Sequence, residues 1–260
     1  MMFEDIYHEY LVHQNELNRE ERYEGNEDWY HASGAGLCSR KLYFESIEKA
    51  KPTNPPNKKS MRIMGLGTVM HKEIQSSLLY YNNYINKEYI NIKEKKEITS
   101  YKKKNLKFII EGEIKLDSLN VRGFYDVISL DTSGSETEPI VKLLDIKTIG
   151  TFAWSKRFSK IKPVESGHHY LQLGTYGMAI KEQYGNLDGM SLLYYNKDNS
   201  VMREAVVPLT YVDQARKYWH TINEEHSKGL PLFKAGTSPV NKWVCNYCQF
   251  KDHCNPPNIF

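Results

Sequence analysis

Long apolar runs are missing from this sequence, and none approaches the roughly 18 residues that a membrane-spanning helix needs. The first residues, Met1-Met2-Phe3-Glu4-Asp5, are acidic and do not form the apolar core of a signal peptide. Apolar residues are still sufficient for a core, because 40% of the 260 residues are hydrophobic and 26% are charged. We therefore expect a cytoplasmic globular protein, with residues 1–260 forming a single domain.

A strong excess of either charge is also missing. The 35 Lys and Arg residues exceed the 32 Asp and Glu residues by only 3, so net charge alone does not indicate a nucleic-acid partner. The distribution is more informative, because lysines are concentrated between Lys93 and Lys107, and basic residues recur from Lys156 to Lys162. Either group could follow a phosphate backbone, although a solvated hairpin explains the first equally well.

Cysteine is scarce: the four residues are Cys38, Cys245, Cys248 and Cys254. Without a signal peptide we do not expect disulfides. Three of the four share the spacing Cys-x2-Cys-x5-Cys, which lets several thiolates converge on one centre, and Cys38 would supply a fourth. Four thiolates suit a 4Fe-4S cluster or zinc, and His253 keeps a Cys/His zinc site open. The alternative is a set of unrelated reduced cysteines.

The segment 141–148 begins as a short apolar strand and ends in a charged pair. Asp145 and Lys147 are two residues apart, so both side chains leave the strand on the same face. Such a pair suits metal-assisted hydrolysis, with the acid holding a divalent cation and the lysine orienting a water molecule. A charged strand end that only meets solvent is the alternative interpretation.

Two further residues have the character of site residues. Asp126 is a lone acid in an apolar and aromatic strand, where a carboxylate is costly unless it is paired or bound to a metal. His71 lies in a helix predicted from Met61 to Tyr81, one turn after Gly67, which leaves room for an approaching group. A hydrogen-bonded core histidine is the alternative. Glu111 and Glu113 alternate with apolar residues and are better suited to a solvent face.

The remaining periodicity predicts an alternation of strands and helices. Gln172 and Tyr176 are four residues apart in a predicted helix, so they share one face. Strands are predicted at 89–92, 106–110, 121–130, 140–146, 190–195 and 201–207, and helices at 61–81, 166–184 and 211–228. The apolar stripe expected to bury the first of these helices consists of Ile63, Leu66, Met70, Ile74 and Leu78.

In order, the features are Cys38, Gly-x3-His71, Gly-x2-Asp126, Asp145-x-Lys147, Gln172-x3-Tyr176 and Cys-x2-Cys-x5-Cys. From about residue 33 to 254 the chain resembles the RecB-like branch of the PD-(D/E)XK nuclease superfamily. It is most similar to the iron-sulfur exonucleases typified by the fourth CRISPR-associated protein and the AddB nuclease domain. This resemblance implies an α/β fold: a restriction-endonuclease-like core, with a mixed central sheet flanked by helices and an iron-sulfur staple joining the N- and C-terminal segments.

The resemblance also assigns roles to residues. Mg²⁺ or Mn²⁺ would be held by His71, Asp126, Asp145 and the backbone carbonyl of Ile146, and a histidine ligand favours Mn²⁺. Lys147 would position the attacking water or stabilise charge on the phosphate. Gln172 and Tyr176 would line the DNA path and support the site. The 4Fe-4S ligands would be Cys38, Cys245, Cys248 and Cys254. Asp145 departs from the nearest relatives, which more often carry glutamate.

The implied function is a metal-dependent DNA exonuclease acting on single-stranded or end-containing DNA. The implied setting is CRISPR adaptation, recombination and repair, or phage DNA processing, in a bacterial, archaeal or phage-infected cell. No Gly-rich phosphate loop is present, so a motor would be a separate helicase; a CRISPR integrase is another possible partner, and no membrane is expected. Two alternatives stay open: a catalytically silent DNA-binding adaptor and a zinc-stapled protein of unrelated function.

Overall fold

The structure is a computed structural model, and it describes residues 2–23, 29–85, 105–161, 167–232 and 242–254. The strands are β1 (Tyr30–His31), β2 (Leu106–Leu116), β3 (Val121–Asp131), β4 (Ile140–Ile149), β5 (Gly189–Asn196) and β6 (Met202–Val207). The α-helices are α1 (Met2–Tyr23), α2 (Ser39–Leu42), α3 (Lys58–Tyr80), α4 (Thr151–Arg157), α5 (Gly167–Tyr184), α6 (Thr210–Ser227), α7 (Lys242–Asn246) and α8 (Lys251–Cys254).

Within these ranges the strands form one mixed sheet in the order β2-β3-β4-β5-β6. The β2–β3, β3–β4 and β5–β6 pairs are antiparallel, whereas β4 and β5 are parallel. The short β1 pairs in parallel with the first residues of β3. A parallel pair needs a crossover connection, and the segment containing α4 and α5 provides it between β4 and β5. The predicted mixed sheet with flanking helices is confirmed.

Helix α5 is the main apolar contact of the sheet, and many of its residues are buried, among them Leu173 and Ile180. On its other side it packs against α6, where Trp219 is fully buried. The Trp219 indole Nε1 donates a hydrogen bond to Thr175 Oγ1 on α5 at 2.8 Å. Because buried N–H groups need an acceptor, this bond allows a large indole to lie in the core.

Most predicted elements are present, with small differences in their ends. The predicted strand at 89–92 and the lysines from 93 to 104 lie outside the described residues. The helix predicted from Met61 to Tyr81 is present as α3, but its apolar stripe is not its buried face: Ile63 and Leu66 are 46% and 45% exposed. The buried residues of α3 are instead Met61, Gly67 and Gln75.

The contact between α3 and β4 explains this difference. A Cβ atom at Gly67 would lie only 2.9 Å from the Thr148 Oγ1 atom, so a small residue is needed where the helix crosses the strand. Helix α3 therefore meets the sheet through small and polar residues. On another side it contacts α1, with ion pairs of 3.0 Å joining Lys58 to Asp5 and Arg62 to Glu4. No described helix is both long and apolar enough to cross a membrane.

Candidate active site

The candidate site lies where β3 and β4 separate. Their recorded backbone pairing runs from Asp131–Ile140 to Val127–Leu144 and does not continue to Asp126. Beyond that point the Asp126 side chain replaces the backbone pairing: its Oδ2 atom accepts a hydrogen bond of 2.6 Å from the Ile146 backbone N–H. Opening the sheet in this way brings the Asp126 carboxylate beside the segment that carries Asp145 and Lys147.

Helix α3 brings two side chains to the same place. His71 Nδ1 lies 3.7 Å from Asp126 Oδ2, with the imidazole 29% exposed and the carboxylate 17% exposed. One turn later, the Gln75 Nε2 donates a 3.5 Å hydrogen bond to the Asp126 backbone carbonyl. Gln75 was not predicted, although its position four residues after His71 places it on the same helical face. Its amide fixes α3 against β3 and so holds His71 near Asp126.

Asp145 is almost fully buried and forms a close pair with Lys147, whose Nζ lies 2.8 Å from Asp145 Oδ2. Burial raises the pKa of Asp145 to about 6; the Lys147 charge opposes this rise and the nearby Asp126 charge adds to it. The protein therefore holds two carboxylates close enough to repel each other, with one ammonium beside them. A bound cation would relieve that repulsion.

The Lys147 ammonium is fixed from the other side by α5. Its Nζ donates a hydrogen bond of 2.9 Å to Gln172 Oε1, and the Gln172 Nε2 donates one of 2.9 Å to the Tyr176 hydroxyl. The structure thus brings together both members of the predicted helix pair with the lysine. Tyr176 is only 3% exposed, so its contact with Gln172 favours a supporting role over lining a DNA path.

The donors in this site fit a hard divalent cation. Asp145 Oδ2 is buried, and its close partner is the Lys147 ammonium at 2.8 Å. A carboxylate oxygen has more than one lone pair, so it can contact a metal cation as well as the ammonium. Carboxylate oxygens with one imidazole suit Mg²⁺ or Mn²⁺. Among the described residues, no three His, Cys, Asp or Glu side chains are already grouped closely enough to hold a metal ion.

Two histidines at the start of α5 lie near the lysine charge, and sequence reasoning did not single them out. Burial, followed by the Lys147 charge, lowers the pKa of His168 to about 4. The same two causes, in the same order, lower the pKa of His169 further. Both imidazoles are therefore neutral near neutral pH. His169 Nδ1 lies 3.2 Å from the hydroxyl of Tyr194, the residue on β5 that pairs with Lys147.

The C-terminal cysteine segment packs against the loop that follows α2. The backbone N–H groups of Thr53 and Asn54 donate to the Gln249 carbonyl at 2.8 and 3.1 Å. The Phe44 and Phe250 rings stack at 6.2 Å. His253 Nε2 donates to the Lys51 carbonyl at 2.8 Å, which occupies one of its two ring nitrogens. These contacts place the segment beside the region that carries Cys38.

The four cysteines are free thiols of intermediate burial. Burial is the main cause that raises the pKa of Cys248, and the proximity of Cys38 and Cys254 raises it further. Cys38, which is distant in sequence, and Cys254 are thus both within electrostatic reach of Cys248. Thiolates that repel one another in this way are suited to share a cation, although they do not yet form a ligand group.

The grouping of Asp126, Asp145 and Lys147 agrees with a comparison of the sequence with known protein families. The sequence profile described as the PD-(D/E)XK nuclease superfamily matches residues 84–255, about two thirds of the chain, and the protein belongs to that superfamily. The matched region includes Asp126, Asp145 and Lys147, whereas His71 and Cys38 precede it.

Solved structures that the chain resembles include SSO0001, with 19% identity, 95% of each chain covered and a TM-score of 0.47. Another is a proposed exonuclease from Eubacterium rectale, with 12% identity, a TM-score of 0.42, and 85% of this chain and 89% of that chain covered. No curated protein matches the sequence.

Proposed function

We propose that this protein is a metal-dependent DNA exonuclease. The observation that carries the proposal is the buried Asp145 carboxylate, which contacts the Lys147 ammonium and lies near the Asp126 carboxylate where β3 and β4 separate. Two neighbouring carboxylates with an imidazole and an ammonium beside them are the groups that a cation-binding hydrolase needs.

The cation would be held by His71, Asp126, Asp145 and the Ile146 carbonyl. When bound, it would supply Lewis-acid polarisation of a phosphate oxygen and of a water molecule. Hydrolysis forms a bond between the water oxygen and phosphorus, breaks the bond to the leaving oxygen, and transfers a proton to that oxygen. The chain must therefore place a water molecule on the side of the phosphate opposite the leaving oxygen.

Lys147 is placed for this task by its two partners. An ammonium has three N–H donors; one is used by Gln172 Oε1, and a second faces Asp145. The third is left for a water molecule or a phosphate oxygen. Because Gln172 and Asp145 hold the ammonium from both sides, it needs little reorganisation when charge develops on the phosphate.

An exposed aromatic residue that follows Lys147 closely in sequence supports unpaired DNA as the substrate. Phe152, five residues after Lys147, is 75% exposed, and the Lys156 ammonium lies 4.3 Å from its ring centroid. An exposed ring beside a cation can stack on a base while the cation contacts the adjacent phosphate. Tyr170 and Tyr176 are buried and do not offer such a surface.

The test is digestion of end-labelled single- and double-stranded DNA by anaerobically purified protein with Mn²⁺, Mg²⁺ or EDTA. We expect metal-dependent shortening from an end, faster on single strands. Absence of digestion by a folded protein that still binds DNA would favour the catalytically silent adaptor. Absence of both activities would overturn the proposal.

A second expected result concerns pH. Because burial raises the pKa of Asp145 to about 6, the carboxyl of the metal-free protein is protonated below that pH, and a cation must displace the proton. The same shift makes the ionised carboxylate unfavourable in the folded protein. The free energy of unfolding of the metal-free protein should therefore fall as the pH rises from 3.8, the usual pKa of an aspartate, to about 6, the pKa of Asp145 in the folded protein.

Stabilisation by Mn²⁺ should therefore be complete above about pH 6 and weaker below it. We expect Mn²⁺ affinity to be about tenfold lower at about pH 5 than at about pH 7. The measurement is the Mn²⁺-induced rise in unfolding temperature at both pH values, with Asp145→Asn as a control that should show almost no rise at either. A rise of equal size at both pH values would contradict the assignment of Asp145.

We also propose that Cys38, Cys245, Cys248 and Cys254 hold a 4Fe-4S cluster that staples the C-terminal segment to the region around α2, completing a single RecB-like domain over residues 1–260. Protein purified without oxygen should be brown and absorb near 400 nm, and Cys254→Ser should lose most of this absorbance. His253→Gln is the matched control and should keep it. A colourless protein containing about one zinc per chain would indicate the zinc alternative.

A further inference from the structure

A row of residues runs from the candidate site across the sheet. Lys147 on β4 pairs with Tyr194 on β5, and Tyr194 pairs with Arg203 on β6. Paired residues on neighbouring strands project from the same face, so the three side chains form one line. Two strand spacings separate Lys147 from Arg203, a distance of about 10 Å. The line begins at the lysine of the site and ends at an exposed cation on the sheet edge.

A second arginine reaches this line from the crossover segment. The guanidinium of Arg157, at the end of α4, lies 5.2 Å from the Tyr170 ring centroid and 5.5 Å from that of Tyr194. It also donates a hydrogen bond to the Tyr170 hydroxyl. Arg157 is thus held directly above the middle residue of the row.

The same aromatic cluster also holds the outer arginine. The Arg203 guanidinium lies 4.7 Å from the Phe158 ring centroid, and the Phe158 ring meets Tyr194 edge-on at 5.5 Å. Aromatic stacking fixes a guanidinium without neutralising it. In the described part of the chain no ion pair joins either arginine to a carboxylate. Both guanidinium groups are therefore oriented by aromatic rings and are not paired with a carboxylate in the described residues, and Arg203 is also exposed.

We propose that Arg157 and Arg203 form a phosphate track along which one DNA strand extends from the active site to the β6 edge of the sheet. The inference rests on the proposed nuclease function and adds the path of the substrate. A planar guanidinium can donate two parallel hydrogen bonds to one phosphate. Two such groups beyond Lys147 would bind successive phosphates of the strand and fix the position of the scissile one.

The test measures binding of a short labelled single strand in EDTA, which prevents cleavage, over a series of salt concentrations. Arg203→Gln and Arg157→Gln should each weaken binding by about 5- to 30-fold. Each should also lower the slope of log affinity against log salt by about 0.7, the value for one lost contact with a single strand. Lys181→Gln removes an exposed charge at the far end of α5 and should leave both quantities unchanged.

Unfolding temperatures are recorded for every variant, because Arg157 contacts several rings. Arg203 is exposed, and its variant should fold normally. If the wild type binds and cleaves DNA but both arginine variants match it in affinity and salt slope, the track is wrong and the nuclease function stands. If the wild type neither binds nor cleaves DNA, both proposals fail.

Discussion

Lys147→Ala should lower the rate of DNA cleavage by at least about 10²- to 10³-fold, the loss expected when one preorganised group that stabilises transition-state charge is removed. The reason is geometric: the Nζ atom is held by Gln172 Oε1 at 2.9 Å and by Asp145 Oδ2 at 2.8 Å. Alanine removes the cationic donor that would contact the attacking water or the phosphate. The measurement is single-turnover digestion of end-labelled DNA with Mn²⁺.

The variant should remain folded. Asp145 loses the Lys147 charge that opposes the rise in its pKa, so the pKa should rise further and the carboxyl should take up a proton, and a neutral acid is tolerated in a buried position. Mn²⁺ should still raise the unfolding temperature, because the proposed ligands remain. Lys142→Ala, an exposed position on the same strand, is the matched control and should cleave normally. A folded Lys147→Ala protein with wild-type activity would refute the proposed mechanism.

Gly174→Ala should destabilise the protein by about 1–3 kcal/mol or more, the range for overpacking a close contact. A Cβ atom at Gly174 would overlap the Tyr211 backbone carbonyl oxygen and lie 2.7 Å from its carbonyl carbon. Backbone cannot move aside as a flexible side chain can, so α5 must shift away from α6. Each kcal/mol should lower the unfolding temperature by about 2–4 °C.

Gly174→Ala should also cleave DNA more slowly at temperatures at which it is still folded. The reason is that Gln172, which holds the Lys147 ammonium, lies two residues before Gly174. Gly167→Ala is the matched control: it lies in the same helix, and a Cβ there meets no atom within 4 Å. Alanine at that position should leave activity intact and stabilise the helix by up to about 1 kcal/mol. Equal unfolding temperatures for Gly174→Ala and the wild type would contradict the close packing of α5 against α6 at Gly174.

A residue of the site could be predicted from the sequence when its role depends on neighbours along the chain, and not when it depends on contacts between distant segments. The shared face of Asp145 and Lys147 follows from strand alternation, and that of Gln172 and Tyr176 from helical spacing; both are local properties of the chain. Asp126 could be singled out because a lone acid in an apolar strand needs a partner. Which partner it has, the Ile146 N–H, depends on where β3 and β4 separate, and sequence periodicity does not record that.

The errors and omissions have the same origin. The face of α3 was predicted from its apolar residues, whereas the helix meets β4 through Gly67, and Gln75 binds the Asp126 carbonyl. Arg157 and Tyr194 meet only because the crossover segment returns over the sheet. Their contact joins α4 to β5, so no local pattern in the sequence could have indicated it.

The bond between His253 and the Lys51 carbonyl joins residues 202 positions apart, and this separation has a consequence for synthesis. A ribosome adding roughly 5–20 residues per second would need about 10–40 s to travel from one partner to the other. During that interval the strands that carry Asp126, Asp145 and Lys147 have already emerged and can pair. The sheet that carries these residues should therefore assemble first during translation, and closure by the cysteine segment should follow it.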